Sequence, residues 1–269
     1  MCVTCGCSST EGGVQISVMG EAEKHHHHGD GHHHHHDHNH DHHHGHHHPP
    51  LASQEVALEA DILQQNNRMA ERNRGYLEAL DVFAINLVSS PGSGKTSLLE
   101  RTIADLQGIL TFQVIEGDQQ TTNDAERIHR LGVPAIQINT GKGCHLDSEM
   151  VAAAIKQLHL QPHSLLMIEN VGNLVCPAMF DLGESKRAVI ISVTEGEDKP
   201  LKYPDMFHSA QLCLINKIDL LPHLQFDMEQ LKANARKVNP YIRFFEVSAT
   251  TGEGLEAWYN YLKDALKQV

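Results

Sequence analysis

No stretch of this chain approaches the 18 consecutive apolar residues that a membrane-crossing helix needs, so no membrane partner is expected. It also has no contiguous patch of Lys and Arg: 21 basic residues stand against 34 acidic ones, which argues against nucleic acid and anionic membranes as partners. The N-terminal "MCVTCGCSST" has neither the basic nor the apolar part of a secretory signal, and a cytoplasmic location is expected. Six cysteines in 269 residues, three of them crowded at positions 2, 5 and 7, look like thiolate ligands in a reducing compartment rather than a disulfide framework.

What the chain has in excess is histidine. Residues 25–48 read "HHHHGDGHHHHHDHNHDHHHGHHH": His25, His26, His27, His28, His32, His33, His34, His35, His36, His38, His40, His42, His43, His44, His46, His47 and His48, interleaved with Asp30, Asp37 and Asp41. No packed core uses that many imidazoles, whereas metal ions do. A purification tag is the weaker reading, because the tract is internal, broken by Asp, Asn and Gly, and preceded by a thiol motif. Cys2, Cys5 and Cys7 form C-x-x-C-x-C, and with the terminal amine they offer S/N donors suited to Ni²⁺ as well as Zn²⁺. The alternative is three unrelated exposed thiols, a liability that surfaces normally avoid. Residues 1–50 have almost no apolar periodicity and close on Pro49-Pro50, which predicts a disordered metal-binding arm.

A helical lead-in is expected over 51–81, with Ser53 as N-cap and Val56, Ile62, Leu63, Met69, Leu77 and Leu80 facing a core. From residue 82 to 269, apolar runs such as "VFAINLVSS", "LTFQVIEGD", "SLLMIEN" and "AQLCLINK" alternate with amphipathic segments near 95–107, 122–131, 147–160, 227–238 and 253–267. That alternation predicts one α/β domain, a mostly parallel sheet with helices on both faces.

The first strand of that domain runs into "SSPGSGKTS", residues 89–97. A phosphate-binding loop needs small residues that let backbone N–H groups converge on oxygens, a Lys for the outer phosphates and a hydroxyl for Mg²⁺ at a helix start. Gly92, Ser93, Gly94, Lys95, Thr96 and Ser97 supply these, with Ser89 where the usual P-loop pattern opens on Gly. A plain Gly/Ser turn is the bland alternative, and the strand and helix context argues against it.

"NKID", 216–219, follows another strand, and Asp219 is placed to accept two hydrogen bonds from guanine N1 and N2, favouring GTP/GDP over adenine nucleotides. Asn216 and the Lys217 stem complete that pocket, and Ser248 and Ala249 of the later "SAT" are expected to line the base through their backbone. "ENVG", 169–172, takes the place of an Asp-x-x-Gly switch: Glu169 is a candidate for Mg²⁺ and Gly172 N–H for the γ-phosphate. Asp118 is a second acid for Mg²⁺ or water, or else a solvated strand end. A further metal constellation is expected from Cys144-His145 and Cys176, all past the C-terminal ends of strands. Three soft ligands are too few for a closed Zn²⁺ site but enough for an open or shared one. Cys213, within a strand, reads as core.

Together these motifs resemble the hydrogenase nickel-incorporation GTPases, the HypB-type accessory proteins of [NiFe]-hydrogenase maturation. The resemblance is carried by "CVTCGC", the His-rich arm, "NLVSSPGSGKTSLLE", "EGDQQTTNDAERI", "TGKGCHLD", "ENVGNLVCP", "EGEDKPLKYP", "NKIDLLP" and "SATTGEGLEAW". It implies a P-loop G domain of the SIMIBI class and a slow, switch-like GTPase that forms a GTP-promoted homodimer with a metal site near its interface. It also implies a small zinc-containing nickel-binding partner and delivery of nickel to the hydrogenase large-subunit precursor. A urease-type accessory GTPase is the nearest alternative, and "CVTCGC" and "GKGCHLD" argue against it. A nickel store with a vestigial G domain is the other, opposed by the intact Lys95, Thr96, Asn216 and Asp219.

Overall fold

The computed structural model describes residues 14–19, 51–119 and 123–269; Cys2, Cys5, Cys7 and the histidines of 25–48 lie outside the described residues. The organising element is an eight-stranded sheet in the order β1-β4-β3-β5-β2-β6-β7-β8. Its strands are β1 (Gln15–Val18), β2 (Phe83–Ser89), β3 (Phe112–Asp118), β4 (Ala135–Asn139), β5 (Leu165–Gly172), β6 (Lys186–Ser192), β7 (Leu212–Asn216) and β8 (Arg243–Glu246). All neighbours run parallel except β1, which pairs antiparallel with β4.

Every residue of β2 is buried, which is why "FAINLVS" is nearly continuously apolar. Its alternation divides the core: Phe83, Ile85 and Leu87 pack on one face with Leu99 and Ile103 of α2 (Lys95–Leu106), Ile128 of α3 (Asn123–His129) and Trp258 and Leu262 of α9 (Leu255–Leu266). On the other face Ala84 meets Leu77 of α1 (Leu51–Ala79) and Val151 and Ile155 of α4 (Ser148–Leu158). Val88 meets Phe207 of α7 (Pro204–Ser209) and Leu231 of α8 (Met228–Val238). Trp258, fully buried, donates from Nε1 to Thr102 Oγ1 at 3.1 Å, so its one polar atom is satisfied.

Three features depart from expectation. Within the stretch read as a structureless arm, β1 forms a strand: "QISV" alternates polar and apolar, and Ile16 and Val18 turn onto the core, but four residues are too short a signal to stand out. Helix α1 opens at Leu51, so Ser53 lies inside it rather than capping it. Its buried stripe also differs: Ile62 is 50% exposed, Leu63, Met69 and Leu80 are half-buried, and the side chain of Val56 lies outside the described residues. Asn66, Ala70, Asn73 and Leu77 are the buried positions, at helical spacing. Two asparagines in a buried stripe are invisible to a search for apolar periodicity. Finally, α5 (Cys176–Met179), α6 (Lys199–Lys202), α7 and the 3₁₀ turn Ile218–His223 are elements of four to six residues that periodicity cannot resolve.

Candidate functional site

The loop after β2 wraps the N-terminus of α2 by turning on Gly92 and Gly94, whose φ values are +78° and +90°. At Gly94 a side chain is excluded twice, because a Cβ there would also stand 2.5 Å from Asn216 Nδ2. The cleft above the loop is lined by Ser89–Ser97 together with Glu116, Gly117, Asp118, Arg127 and Gly172. Lys95, Thr96, Asp118, Glu169 and Gly172 therefore converge as expected: Lys95 Nζ lies 2.7 Å and Thr96 Oγ1 2.5 Å from Glu169 Oε1, and Asp118 and Gly172 line the same cleft. Gly172 is the register partner of Ser89 across a bulge, and a Cβ on it would stand 3.6 Å from Pro91. Ser89 fits where the motif usually has Gly because its hydroxyl folds back onto the Ser90 carbonyl, at 2.9 Å.

A divalent ion fits this donor set. Glu169 is fully buried, its Oε2 has no hydrogen-bond partner, and the Thr96 hydroxyl and the Asp118 carboxylate face the same cleft. Hard oxygen donors in this combination suit Mg²⁺.

The segment expected to read the base is tied to the phosphate loop. Asn216 is buried beside the phosphate loop. Its Nδ2 donates to Ser93 O at 2.9 Å, and its Oδ1 accepts from Lys217 N at 2.8 Å and Ala249 N at 3.2 Å. It bolts this segment to the phosphate loop and holds the Ala249 N–H. Lys217, in the left-handed region at φ +63°, lays its ammonium on Gly92 O at 2.6 Å. Asp219 Oδ1 accepts from Ser248 Oγ at 2.5 Å, and that hydroxyl accepts in turn from Thr251 N at 3.0 Å. Ser248 thus orients Asp219 through its side chain.

The sequence reading missed several neighbours. Glu116, buried on β3 in register with Glu169, lines the cleft, and an acid inside the apolar run "LTFQVIEGD" was the available signal. Arg127 of α3 reaches the cleft while pairing with Glu100 (Nε to Oε1, 2.9 Å). Glu195 accepts a hydrogen bond from Ser90 Oγ and, through Oε1, from Ser192 N at 2.9 Å, tying "EGEDKPLKYP" to the phosphate loop.

Cys144, His145 and Cys176 also come together, with all three ligand atoms within 4.8 Å of one another. Cys144 Sγ lies 2.8 Å from Cys176 Sγ and 3.7 Å from His145 Nδ1. Burial lowers the His145 pKa against the opposing pull of Asp147, favouring the neutral imidazole that a metal needs. The ring stacks on Phe180 at 3.9 Å between centroids, which fixes its plane. Two thiol donors and an imidazole suit Zn²⁺ or Ni²⁺ with a coordination position left open. Cys213 is buried in the sheet as expected, its thiol pushed up by desolvation, and His129, His159, His163, His208 and His223 are exposed.

A phosphate loop on a parallel sheet, tied to a guanine-type reading segment, defines a P-loop nucleotide-binding protein. The CobW/HypB/UreG nucleotide-binding domain matches residues 83–246. The hydrogenase maturation factor HypB of Rhizobium leguminosarum bv. viciae is 60% identical over 216 residues, covering 80% of this chain and 72% of its own length. The crystal structure of HypB from Archaeoglobus fulgidus superposes with a TM-score of 0.70 at 42% identity, over 76% of this chain and 99% of that one. HypB from Helicobacter pylori, solved in complex with nickel, does so with a TM-score of 0.71 at 38% identity, over 76% and 96%. The chain belongs to the HypB family of hydrogenase maturation factors. Among the described residues, no helix is long and apolar enough to cross a membrane.

Proposed function

We propose that this protein is a cytoplasmic GTP-hydrolysing nickel metallochaperone that stores nickel on its Cys/His-rich arm and supports nickel insertion into the [NiFe]-hydrogenase large-subunit precursor. The observation that carries the reading is the course of β5. One strand presents Glu169 to Lys95 and Thr96, sets Gly172 against Pro91 of the phosphate loop, and four residues later delivers Cys176 to Cys144 and His145. Nucleotide and metal chemistry thus meet on one continuous piece of backbone.

In this reading Lys95 and the loop N–H groups hold the phosphates, Gly172 N–H senses the γ-phosphate, and Asp219, oriented by Ser248, reads guanine. Mg²⁺, held by Thr96 with Glu169 and Asp118, neutralises phosphate charge when bound. Nickel is cargo at Cys144, His145 and Cys176 and on the arm, and Zn²⁺ competes for the same donors. A GTP-promoted homodimer would bring two such metal clusters together, and a small zinc-containing nickel-binding protein would exchange nickel with them.

The test is nucleotide selectivity combined with turnover. The protein should bind GTP at least about a hundredfold more tightly than ATP, release phosphate from GTP, and shift toward xanthine nucleotides as Asp219→Asn. Equal affinity for GTP and ATP would overturn the reading.

A further inference from the structure

The three metal-cluster ligands sit on two segments distant in sequence, the loop before α4 and the start of α5, and one helix outside the nucleotide-binding region bonds to the residues that follow each. We infer that Asn66 and Asn73 of α1 are positioning residues for the Cys144–His145–Cys176 metal site, holding its two segments at a fixed separation.

Asn73 spans the gap with a single amide: Nδ2 donates to Ser148 O at 2.9 Å and to Leu182 O at 3.0 Å. Asn66, two turns earlier, makes the same bridge with mixed polarity. Its Oδ1 accepts from Ser148 N at 2.9 Å, its Nδ2 donates to Asp181 O at 2.8 Å, and its own carbonyl accepts from Ser148 Oγ at 2.8 Å. Ser148 lies three residues beyond His145 and is fully buried; Asp181 and Leu182 follow Phe180, the ring stacked on His145. The clamp therefore closes on the segments that carry the imidazole and its stacking partner.

Close approach supports the same conclusion. A Cβ on Gly183 would stand 2.5 Å from Ala70 O, so the 181–183 turn is pressed against the α1 backbone between the two asparagines. Arg74 adds an outer tie, donating from Nη1 to Glu184 O at 2.9 Å and from Nη2 to Asp181 Oδ2 at 2.5 Å. Asparagine is a mediocre helix former, and leucine at either position would bury more apolar area. What asparagine adds is directional bonding to two loops at once, and such bonds around ligand segments set how closely the ligands match an ion.

None of this bears on the nucleotide. Among the described residues, no residue of α1 lines the phosphate cleft, and α1 lies wholly before the matched 83–246 region. Loss of the clamp should therefore loosen metal binding and leave nucleotide binding intact.

The inference rests on the proposed metal role of the cluster, and the test separates the two. The full-length chain carrying Cys2→Ser, Cys5→Ser and Cys7→Ser is titrated with Co²⁺, and the thiolate-to-cobalt charge-transfer band is followed. The histidines of the arm cannot produce that band, and Cys213 is fully buried in the sheet. In this background Asn73→Ala and Asn66→Ala should each weaken Co²⁺ binding about 10- to 100-fold, with GDP affinity unchanged in metal-free protein. Co²⁺ affinity within about twofold of the parent in both variants overturns the positioning role. A matching loss of GDP affinity in both also overturns it, by marking a general folding defect. Cys144→Ser with Cys176→Ser is the control. If the band persists there, the metal reading fails and takes the inference with it; if it vanishes while the asparagine variants bind like the parent, only the positioning fails.

Discussion

Lys95 Nζ and Glu169 Oε1 stand 2.7 Å apart, and the Thr96 hydroxyl reaches the same carboxylate oxygen, so the phosphate loop and β5 are joined by a buried ion pair. The Glu169 side chain is 1% exposed and that of Lys95 10%, so water screens the pair only weakly. Lys95→Ala strands the carboxylate. It should cost the nucleotide-free protein about 3–5 kcal/mol as well as weakening triphosphate binding. The double variant with Glu169→Gln should recover much of that stability while recovering no turnover. Urea unfolding of parent, single and double variants measures this, and an unchanged midpoint in the single variant would contradict it.

Gly94→Ala should fail in two ways. The left-handed backbone at +90° strains any L side chain, and the added methyl collides with the Asn216 amide that bolts the base-reading segment to the loop. The expected result is a stability loss of about 1–3 kcal/mol and GTP binding too weak to measure by calorimetry. Ala at Gly92 meets nothing within 4 Å and should show only the backbone strain.

Deleting residues 25–48 should remove most of the bound nickel and leave GTP hydrolysis nearly unchanged, since the tract is expected to be a reservoir. Each ion competes with protons for imidazoles of pKa about 6.5, so capacity should fall as pH drops from neutral to about 5. Equilibrium dialysis at several pH values reads both effects; an unchanged stoichiometry after deletion would reduce the tract to a spacer.

Gly172 faces Pro91 of the phosphate loop, where a Cβ on it would stand 3.6 Å from that residue, and the next residue, Asn173, donates from Nδ2 to Cys144 O at 3.3 Å. A γ-phosphate that moves Gly172 would thereby move both Cys176 and the Cys144 loop. Nickel affinity of the G-domain cluster should then differ about 5- to 150-fold between GDP and a non-hydrolysable GTP analogue, and nickel should change GTP-analogue affinity by the same factor. Cys176→Ser should abolish the difference. Identical nickel affinities in the two nucleotide states would mean that the switch acts on partner binding instead.

The chemistry-bearing residues were legible in the sequence because each motif is short and local. Lys95 and Thr96 follow their glycines directly, Asp219 follows Asn216 within one turn, and Cys144 adjoins His145. Their placement at one edge of the sheet followed from parallel topology, since loops after parallel strands gather at the C-terminal edge. Strand and helix periods in the larger elements were equally visible, because burial on both faces of a strand leaves an apolar run that no loop would have.

What only the tertiary structure decided is which residue does what to which. Asn216 reads as a base contact in the motif, and the structure adds a second task, since its amide also ties Ser93 to Ala249. Asn66 and Asn73 carry no apolar signal, yet they lie on the buried side of their helix, because their partners are carbonyls and amides 75 to 115 residues away. Sequence pattern reports the polarity of a side chain, and polarity predicts exposure only when water is the sole partner on offer. Where a distant loop presents its own unpaired backbone groups, a polar side chain is drawn inward to meet them, and that pairing depends on how the chain closes on itself in three dimensions.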